Sequence, residues 1–360
     1  MRALPMCVCL MLVRSALAAT PAENAAAIVK DSGWRRGVCV DAGADPKLAI
    51  ELARASELSI YRVEKDAAAA AATRRLAEAA GLSPLRLRVE VGPLAGLEYP
   101  DYVANLVIAP GATKEVLRLL RPAGGAAYLA SGGSAPAGYK AGRGPGGLHR
   151  LERLPLAGAG NWTHNSYDAS NNRYSPDRYV KPPFRILWYG DPIRSLGGLW
   201  TIHGLAAEGR YFLMDLSLEH HDRAWLACRD AYNGTVLWER EAGGTRFSWL
   251  KPLKADDRNW LMHTNQPGKV QLSQAVIVGE HIYLADGPRC MVIDAASGED
   301  AGSISAPPPS HPENHWTYVA SDGKRLFGCV ATGYEAPYDS HRYWAFKVTR
   351  AKKGGPTTVF

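Results

Sequence analysis

The sequence lacks the short motifs that mark common metal and catalytic centres. No Cys-x-x-Cys pair occurs, which excludes a zinc knuckle and a c-type haem attachment site. Gly-x-Ser-x-Gly, P-loop and His-Glu-x-x-His motifs are missing too. The segment from Glu219 to Asp222 holds two adjacent histidines, but neighbours on one loop rarely bind a metal without distant ligands. We therefore predict no metal site, and no catalytic residue can be named.

Blocks of like charge and long apolar runs are also missing. The 42 Lys and Arg residues exceed the 35 Asp and Glu residues by a net charge of +7, and they are dispersed. This distribution does not indicate a nucleic-acid partner. The longest apolar stretch, Ala3 to Val13, follows Arg2 and precedes Ala16-Leu-Ala18. It is too short to span a bilayer and is typical of a secretory signal peptide.

We predict a signal peptide over residues 1–19, no membrane span, and export to the periplasm or another extracytoplasmic compartment. The alternative is a mis-assigned start ahead of a cytoplasmic protein. Of the six cysteines, four follow the predicted signal peptide: Cys39, Cys228, Cys290 and Cys329. In an oxidising compartment Cys290 could pair with Cys228 or with Cys329. Buried free thiols are the favoured interpretation.

The aromatic residues divide the chain into two halves. Nine of the ten tryptophans lie after residue 160, the exception being Trp34, whereas residues 22–130 are rich in Ala and Leu. Residues 131–160 are crowded with Gly, Pro and Ala, which indicates a linker. We predict a domain over 24–130, a linker over 131–160 and a second domain over 161–360.

The first domain has the pattern of an α/β Rossmann-like fold. A short apolar strand ends at Asp41, Gly43 follows in a turn, and a helix begins near Pro46. A second strand ends at Glu64, and helices and strands continue to alternate up to Ala130. Strand, glycine turn and helix in this order are typical of the opening of a Rossmann-like unit.

These residues resemble class I S-adenosylmethionine-dependent methyltransferases. Asp41 and Gly43 resemble the first motif, Glu64 the ribose-binding acid, and Leu120 to Gly125 the later Leu-x-Pro-Gly-Gly turn. The resemblance implies that Asp41, Gly43 and Glu64 bind S-adenosylmethionine. Asp45 stands where the family has a second glycine, and a carboxylate about 4 Å from the cofactor's own carboxylate costs roughly 1 to 4 kcal/mol.

The acid that the family places after the third strand is also replaced, by Gly92-Pro93. An exported chain would moreover leave the compartment in which S-adenosylmethionine is made. We therefore expect a degenerate, methyltransferase-like domain.

The second domain repeats a tight-turn pattern. Asp230-Ala-Tyr-Asn-Gly234 is followed by Trp238, and Asp294-Ala-Ala-Ser-Gly298 is a looser copy. An aspartate that accepts turn N–H groups, followed by a glycine at positive φ, reverses the chain between two strands. Three further hairpin tips contain a glycine, at 209, 279 and 323. Short strands with this blade-sized period predict a β-propeller.

This repeat resembles that of pyrroloquinoline-quinone (PQQ) dehydrogenases and of outer-membrane-assembly propellers. Further similarity lies in Trp162, Asp168, Asn172 to Pro176, and Leu187-Trp188. The resemblance implies PQQ with calcium at the propeller centre, held by residues from several blades. About three to four blades fit in 161–360, fewer than most rings need, so we expect a partial propeller in a truncated chain. Trp238 is predicted to be a wedge between blades.

Three functions stay open. The favoured one is an extracytoplasmic binding or scaffold protein, with a protein or polymer partner on the propeller face. The alternatives are a fragment of a PQQ-dependent dehydrogenase and an S-adenosylmethionine-dependent methyltransferase, so enzymatic activity is left undecided. The pairing of the two domains resembles large exported proteins of the planctomycete type. We predict as structural repeat residues Asp230, Gly234, Trp238, Asp294 and Gly298.

Overall fold

A computed structural model describes most of the first domain and the strands of the second. The described residues are 19–164, 166–170, 172, 174–183, 186–189, 204–216, 224–242, 275–286, 289–306, 314–332 and 357–359. The predicted signal peptide up to residue 18 and the His-His segment at 219–222 lie outside them. No helix in the described ranges is long and apolar enough to cross a bilayer.

The first domain is built around one seven-stranded sheet. Its helices and strands are α1 Pro21–Ser32, β1 Val38–Asp41, α2 Pro46–Ala55, β2 Ser59–Glu64, α3 Ala67–Ala79, β3 Leu87–Val91, β4 Leu106–Ala109, α4 Lys114–Leu119, β5 Ala126–Leu129, β6 Tyr139–Arg143 and β7 His149–Arg153. The strand order is β3-β2-β1-β4-β5-β7-β6. Neighbours from β3 to β5 are parallel, and β7 runs antiparallel to β5 and β6. The prediction of a Rossmann-like fold is confirmed.

Alternating side chains bury both faces of this sheet. Cys39 and Ile60 belong to a core shared with α1, α2 and α3, whereas Val40 and Val107 belong to a core shared with α4. Strands buried on both faces account for the continuous apolar runs in the sequence.

Polar residues set the helix starts. Thr20 accepts a hydrogen bond from the Glu23 N–H, and the Glu23 side chain accepts one from the Thr20 N–H, so α1 begins with a capping box. Asp45 caps α2 and Asp66 caps α3, each through a carboxylate that accepts a backbone N–H of the first turn.

Residues 131–160, which we expected to form a linker, contain β6 and β7 and so complete the sheet. Leu151 of β7 is buried in the α4-side core, which ties this hairpin to the domain. Its glycines serve the turn between the strands, where Gly146 and Gly147 have φ of 63° and 76°. Part of the glycine and proline content therefore belongs to a hairpin turn within the first domain.

The second half contains three antiparallel sheets. Strands β8 Gly204–Ala207, β9 Arg210–Leu216, β10 Ala224–Asp230 and β11 Val236–Ala242 form the first sheet. Strands β12 Ala275–Val278, β13 His281–Asp286, β14 Arg289–Asp294 and β15 Asp300–Ser305 form the second. The third consists of β16 Asn314–Ser321, β17 Leu326–Thr332 and β18 Thr357–Val359. In each sheet the strands follow one another in chain order, and the described strands do not make a closed propeller ring.

Candidate functional site

The carboxyl ends of β1 and β2 carry the predicted cofactor-binding residues. Asp41 is the last residue of β1, Glu64 is the last residue of β2, and Gly43 lies in the loop after β1. The order of strands reverses between β1 and β4, and ligands of doubly wound sheets bind at such a point. The structure therefore brings these three residues to one edge of the sheet.

Arg62 connects the two acids. It is the register partner of Asp41 on the neighbouring strand, and it lies two residues before Glu64, on the same face of β2. Its Nη1 is 3.1 Å from Asp41 Oδ1, and its Nε donates to Glu64 Oε1 at 2.9 Å. Sequence reasoning missed Arg62. The sequence feature that could have revealed it is a cationic residue at an inward-facing position of a buried parallel strand.

All members of this cluster are buried. Asp41 has no exposed surface, and Arg62 is 2% and Glu64 8% exposed. Thr73 from α3 donates a second hydrogen bond to Glu64 Oε1, at 2.7 Å. Burial raises the pKa of Asp41 and outweighs the nearby guanidinium. Burial acts to raise the pKa of Glu64 as well, but the hydrogen bonds from Arg62 and Thr73 lower it below its ordinary value.

Two atoms of the cluster have no hydrogen-bond partner among the described residues. They are Asp41 Oδ2 and Arg62 Nη1, and both are shielded from solvent. The other oxygen of Asp41 accepts the Gly43 N–H at 2.8 Å. A Cβ at position 43 would lie 3.1 Å from that oxygen and 3.0 Å from Ile108 Cγ2, so the close packing of this loop favours glycine.

The loop after β1 also places a carboxylate at the start of α2. Asp45 Oδ1 accepts the Lys47 N–H at 2.9 Å. An anionic ligand would need these amide groups and the positive end of the helix dipole. Asp45 occupies that position with its own negative charge.

Two features of the residues present therefore disfavour S-adenosylmethionine. Its carboxylate would meet Asp45, and Glu64 Oε1 is already used by two donors. After β3, Gly92 donates its N–H to Glu64 O at 2.9 Å and Pro93 follows, so this turn offers no side-chain acceptor to a nucleobase.

The repeat residues of the second half form two matching turns. Asp230 Oδ1 accepts the Tyr232 N–H at 2.8 Å, and Gly234 donates to Asp230 O at 2.9 Å. In the second sheet, Asp294 Oδ1 accepts the Ser297 N–H at 2.7 Å, and Gly298 donates to Asp294 O at 2.8 Å. The glycines have φ of 75° and 77°, which disfavours any side chain.

Each turn is covered by a tryptophan from a preceding segment. Trp238 of β11 is buried, and its Nε1 donates to Ala295 O at 3.1 Å. A Cβ on Gly298 would lie 2.6 Å from this indole. Trp188 repeats the arrangement one sheet earlier, because its Nε1 donates to Ala231 O at 2.9 Å and its ring covers Gly234.

The described residues provide no cluster of metal-ligating side chains, and the cavity that lies among the helices is away from the predicted cofactor residues. The described residues include no group of three His, Cys, Asp or Glu side chains that could hold a metal ion, so the expected PQQ with calcium has no support there. A cavity of about 420 Å³ lies beside α1, α2 and α3, with Lys47, Ile50 and Leu76 in its lining. It does not include Asp41, Gly43 or Glu64. Cys39 and Cys228 are buried free thiols, and Cys290 is buried as well.

Comparison with known proteins gives likeness in fold only. No family model and no curated protein matches the chain. A solved structure of a protein assigned to the S-adenosyl-L-methionine-dependent methyltransferases, from Methanococcus maripaludis, is 18% identical over 38% of this chain and 85% of that chain, with a TM-score of 0.32.

A Klebsiella pneumoniae protein assigned as an O-methyltransferase is 16% identical over 40% of this chain and 83% of that chain, with a TM-score of 0.29. The M. jannaschii protein TYW2, solved in complex with AdoMet, is 17% identical over 35% of this chain and 76% of that chain, with a TM-score of 0.26. At these TM-scores the assignment of the fold rests on the strand order and directions.

Proposed function

We propose that this protein is a non-catalytic binding or scaffold protein. In this proposal the Rossmann-like domain is a structural base, and the antiparallel sheets are blades of a partial propeller that holds a protein or polymer partner. The observation that carries the proposal is the buried polar junction between the first domain and the Asp230 turn.

This junction uses the edge of the sheet opposite the predicted cofactor site. Arg121, which follows α4, lies with its Nε 3.0 Å from Asp230 Oδ2, and neither side chain has exposed surface. Asn105, just before β4, donates to the same carboxylate oxygen at 2.8 Å. Asn233 donates to Val103 O at 2.9 Å and to Asn105 Oδ1 at 2.8 Å. Such a connected network fixes the orientation of the two parts.

A short segment supports a radial arrangement of the sheets. Trp162 pairs with Ala206 of β8, Thr163 O accepts the Ile277 N–H of β12 at 3.1 Å, and His164 Nε2 accepts the Ser321 N–H of β16 at 3.0 Å. These strands are the first strands of the three sheets. Three consecutive residues that contact three such edges favour sheets grouped about one axis, as in a propeller.

A surface for the partner is suggested by the segment between residues 174 and 189. Six of its large apolar side chains are at least 46% exposed, and two of them, Ile186 and Tyr189, reach 85% and 93%. Trp188 anchors this segment to the first sheet. Apolar surface of this kind is typical of interaction sites.

We further propose that the protein acts after export, which requires that residues 1–19 be missing from the mature chain in the extracytoplasmic fraction.

Titration calorimetry with purified protein tests the proposal. We expect no heat with about 1 mM S-adenosylmethionine, and none with PQQ plus calcium. Binding at micromolar levels, or turnover of an alcohol or sugar with PQQ, would overturn the proposal. A partner identified by cross-linking must bind the pure protein. Its affinity for the double variant Ile186→Ser/Tyr189→Ser must be at least about tenfold lower. Leu85→Ser is the matched control, because Leu85 is 88% exposed on the first domain.

An S-adenosylmethionine-dependent methyltransferase is the second candidate. The observation that favours it is the meeting of Asp41, Gly43 and Glu64 at the carboxyl edge of β1 and β2. The calorimetric titration above separates the two candidates, since only the second expects S-adenosylmethionine to bind.

A further inference from the structure

Arg62 fills the space between two acids that face the ligand edge of a Rossmann-like sheet. Its guanidinium reaches Asp41 on one side and Glu64 on the other, at 3.1 and 2.9 Å. We propose that Arg62 acts as a tethered ligand, and that the site it fills takes guanidinium-type cations when the side chain is removed.

The charges of the cluster favour a cation at this position. Asp41 and Glu64 are both more than nine-tenths buried, and the described cation that contacts both of them is Arg62. An ionised carboxylate without a partner is strongly unfavourable in such surroundings. A cation between the two acids is therefore part of the folded structure and not an accessory to it.

The geometry suits a planar guanidinium. Glu64 Oε1 accepts from Nε while Asp41 Oδ1 lies beside Nη1, so two edges of the same planar group face two carboxylates. Asp41 Oδ2 and Nη1 retain unused hydrogen-bonding capacity, and both are buried. A free guanidinium-type cation is not held by a side-chain stem, so it can turn an N–H group toward Asp41 Oδ2.

Truncation of Arg62 to alanine tests the proposal by chemical rescue. We expect about 10 mM methylguanidinium to raise the melting temperature of Arg62→Ala by about 2 to 4 °C relative to the same concentration of NaCl. Wild type should show no rise, because its site is filled. Asp41→Asn and Glu64→Gln added to Arg62→Ala should abolish the rise, because the cavity remains while its charges are gone.

Equal responses of Arg62→Ala and wild type would overturn the inference, and so would a rise that persists in the triple variant. If Arg62→Ala does not fold in buffer, its refolding yield becomes the measurement. Recovery with methylguanidinium alone supports the inference, and no recovery overturns it.

The inference rests on the proposed function in that no cofactor uses the site. The two fail separately, since wild-type binding of S-adenosylmethionine refutes the function and absence of rescue refutes the tethered ligand.

Discussion

Arg121 and Asp230 form an ion pair from which solvent is wholly excluded, with Nε 3.0 Å from Oδ2. The pair joins residues far apart in the sequence, one from each half of the chain. Arg121 also donates to Gly209 O at 2.7 Å, and its guanidinium lies 4.8 Å from the centre of the Trp34 ring. The junction between the halves is therefore built as a protein interior and not as a flexible connection.

Loss of one partner of this pair should be costly. Arg121→Ala leaves Asp230 buried without its cation, and we expect the free energy of unfolding to fall by about 3 to 5 kcal/mol in urea denaturation. The control is Arg36→Ala, which removes an exposed pair with Glu57 and should cost about 1 kcal/mol or less. Equal losses in the two variants would show that the junction is not a core.

The tryptophan wedge gives a second prediction. Trp238→Ala should destabilise the protein by about 3 to 5 kcal/mol, because it opens a cavity between two sheets and removes the hydrogen bond to Ala295 O. Tyr189→Ala, at a 93% exposed aromatic, should change stability by about 0.5 kcal/mol or less. Thermal unfolding of both variants measures the contrast, and a Trp238→Ala variant that melts like the parent contradicts the role as a wedge.

Two glycines with positive φ allow the energetic cost of backbone strain to be measured apart from the cost of side-chain packing. Gly279 has φ of 57°, and a Cβ added there would meet no other atom within 4 Å, so Gly279→Ala should cost about 1 to 2 kcal/mol from conformation alone. Gly298 has φ of 77° and lies against Trp238, so Gly298→Ala should cost about 1 to 3 kcal/mol more. Urea denaturation measures both variants, and similar losses at the two positions would mean that the indole moves aside easily.

His164 should make stability depend on pH. Its Nε2 accepts the Ser321 N–H at 3.0 Å, which requires an unprotonated nitrogen. Burial lowers its pKa below 6.5, while Asp168 acts in the opposite direction. The unfolded chain therefore binds the proton more readily, and this part of the stability is lost as the pH falls below about 6.5.

His164→Gln keeps an acceptor without titration. We expect the unfolding free energy of wild type minus that of the variant to be smaller at about pH 5 than at about pH 7.5. A difference that is constant over this range would exclude the role of His164 protonation.

The α/β pattern of the first domain could be predicted because both faces of its strands are buried, which makes Val38 to Asp41 and Leu106 to Ala109 unmistakably apolar. The position of Arg62 between Asp41 and Glu64 could not be predicted from the sequence of one strand alone. Arg62 becomes meaningful only when the register opposite Asp41 is known. In the same way, the glycine content of residues 131–160 could not distinguish a hairpin turn from a linker, because both need freely rotating backbone.

The segment Trp162 to His164 precedes all three antiparallel sheets in the chain, yet it contacts the leading strand of each. One segment of three residues thus ties three sheets together, so a substitution within it is expected to loosen all of them at once.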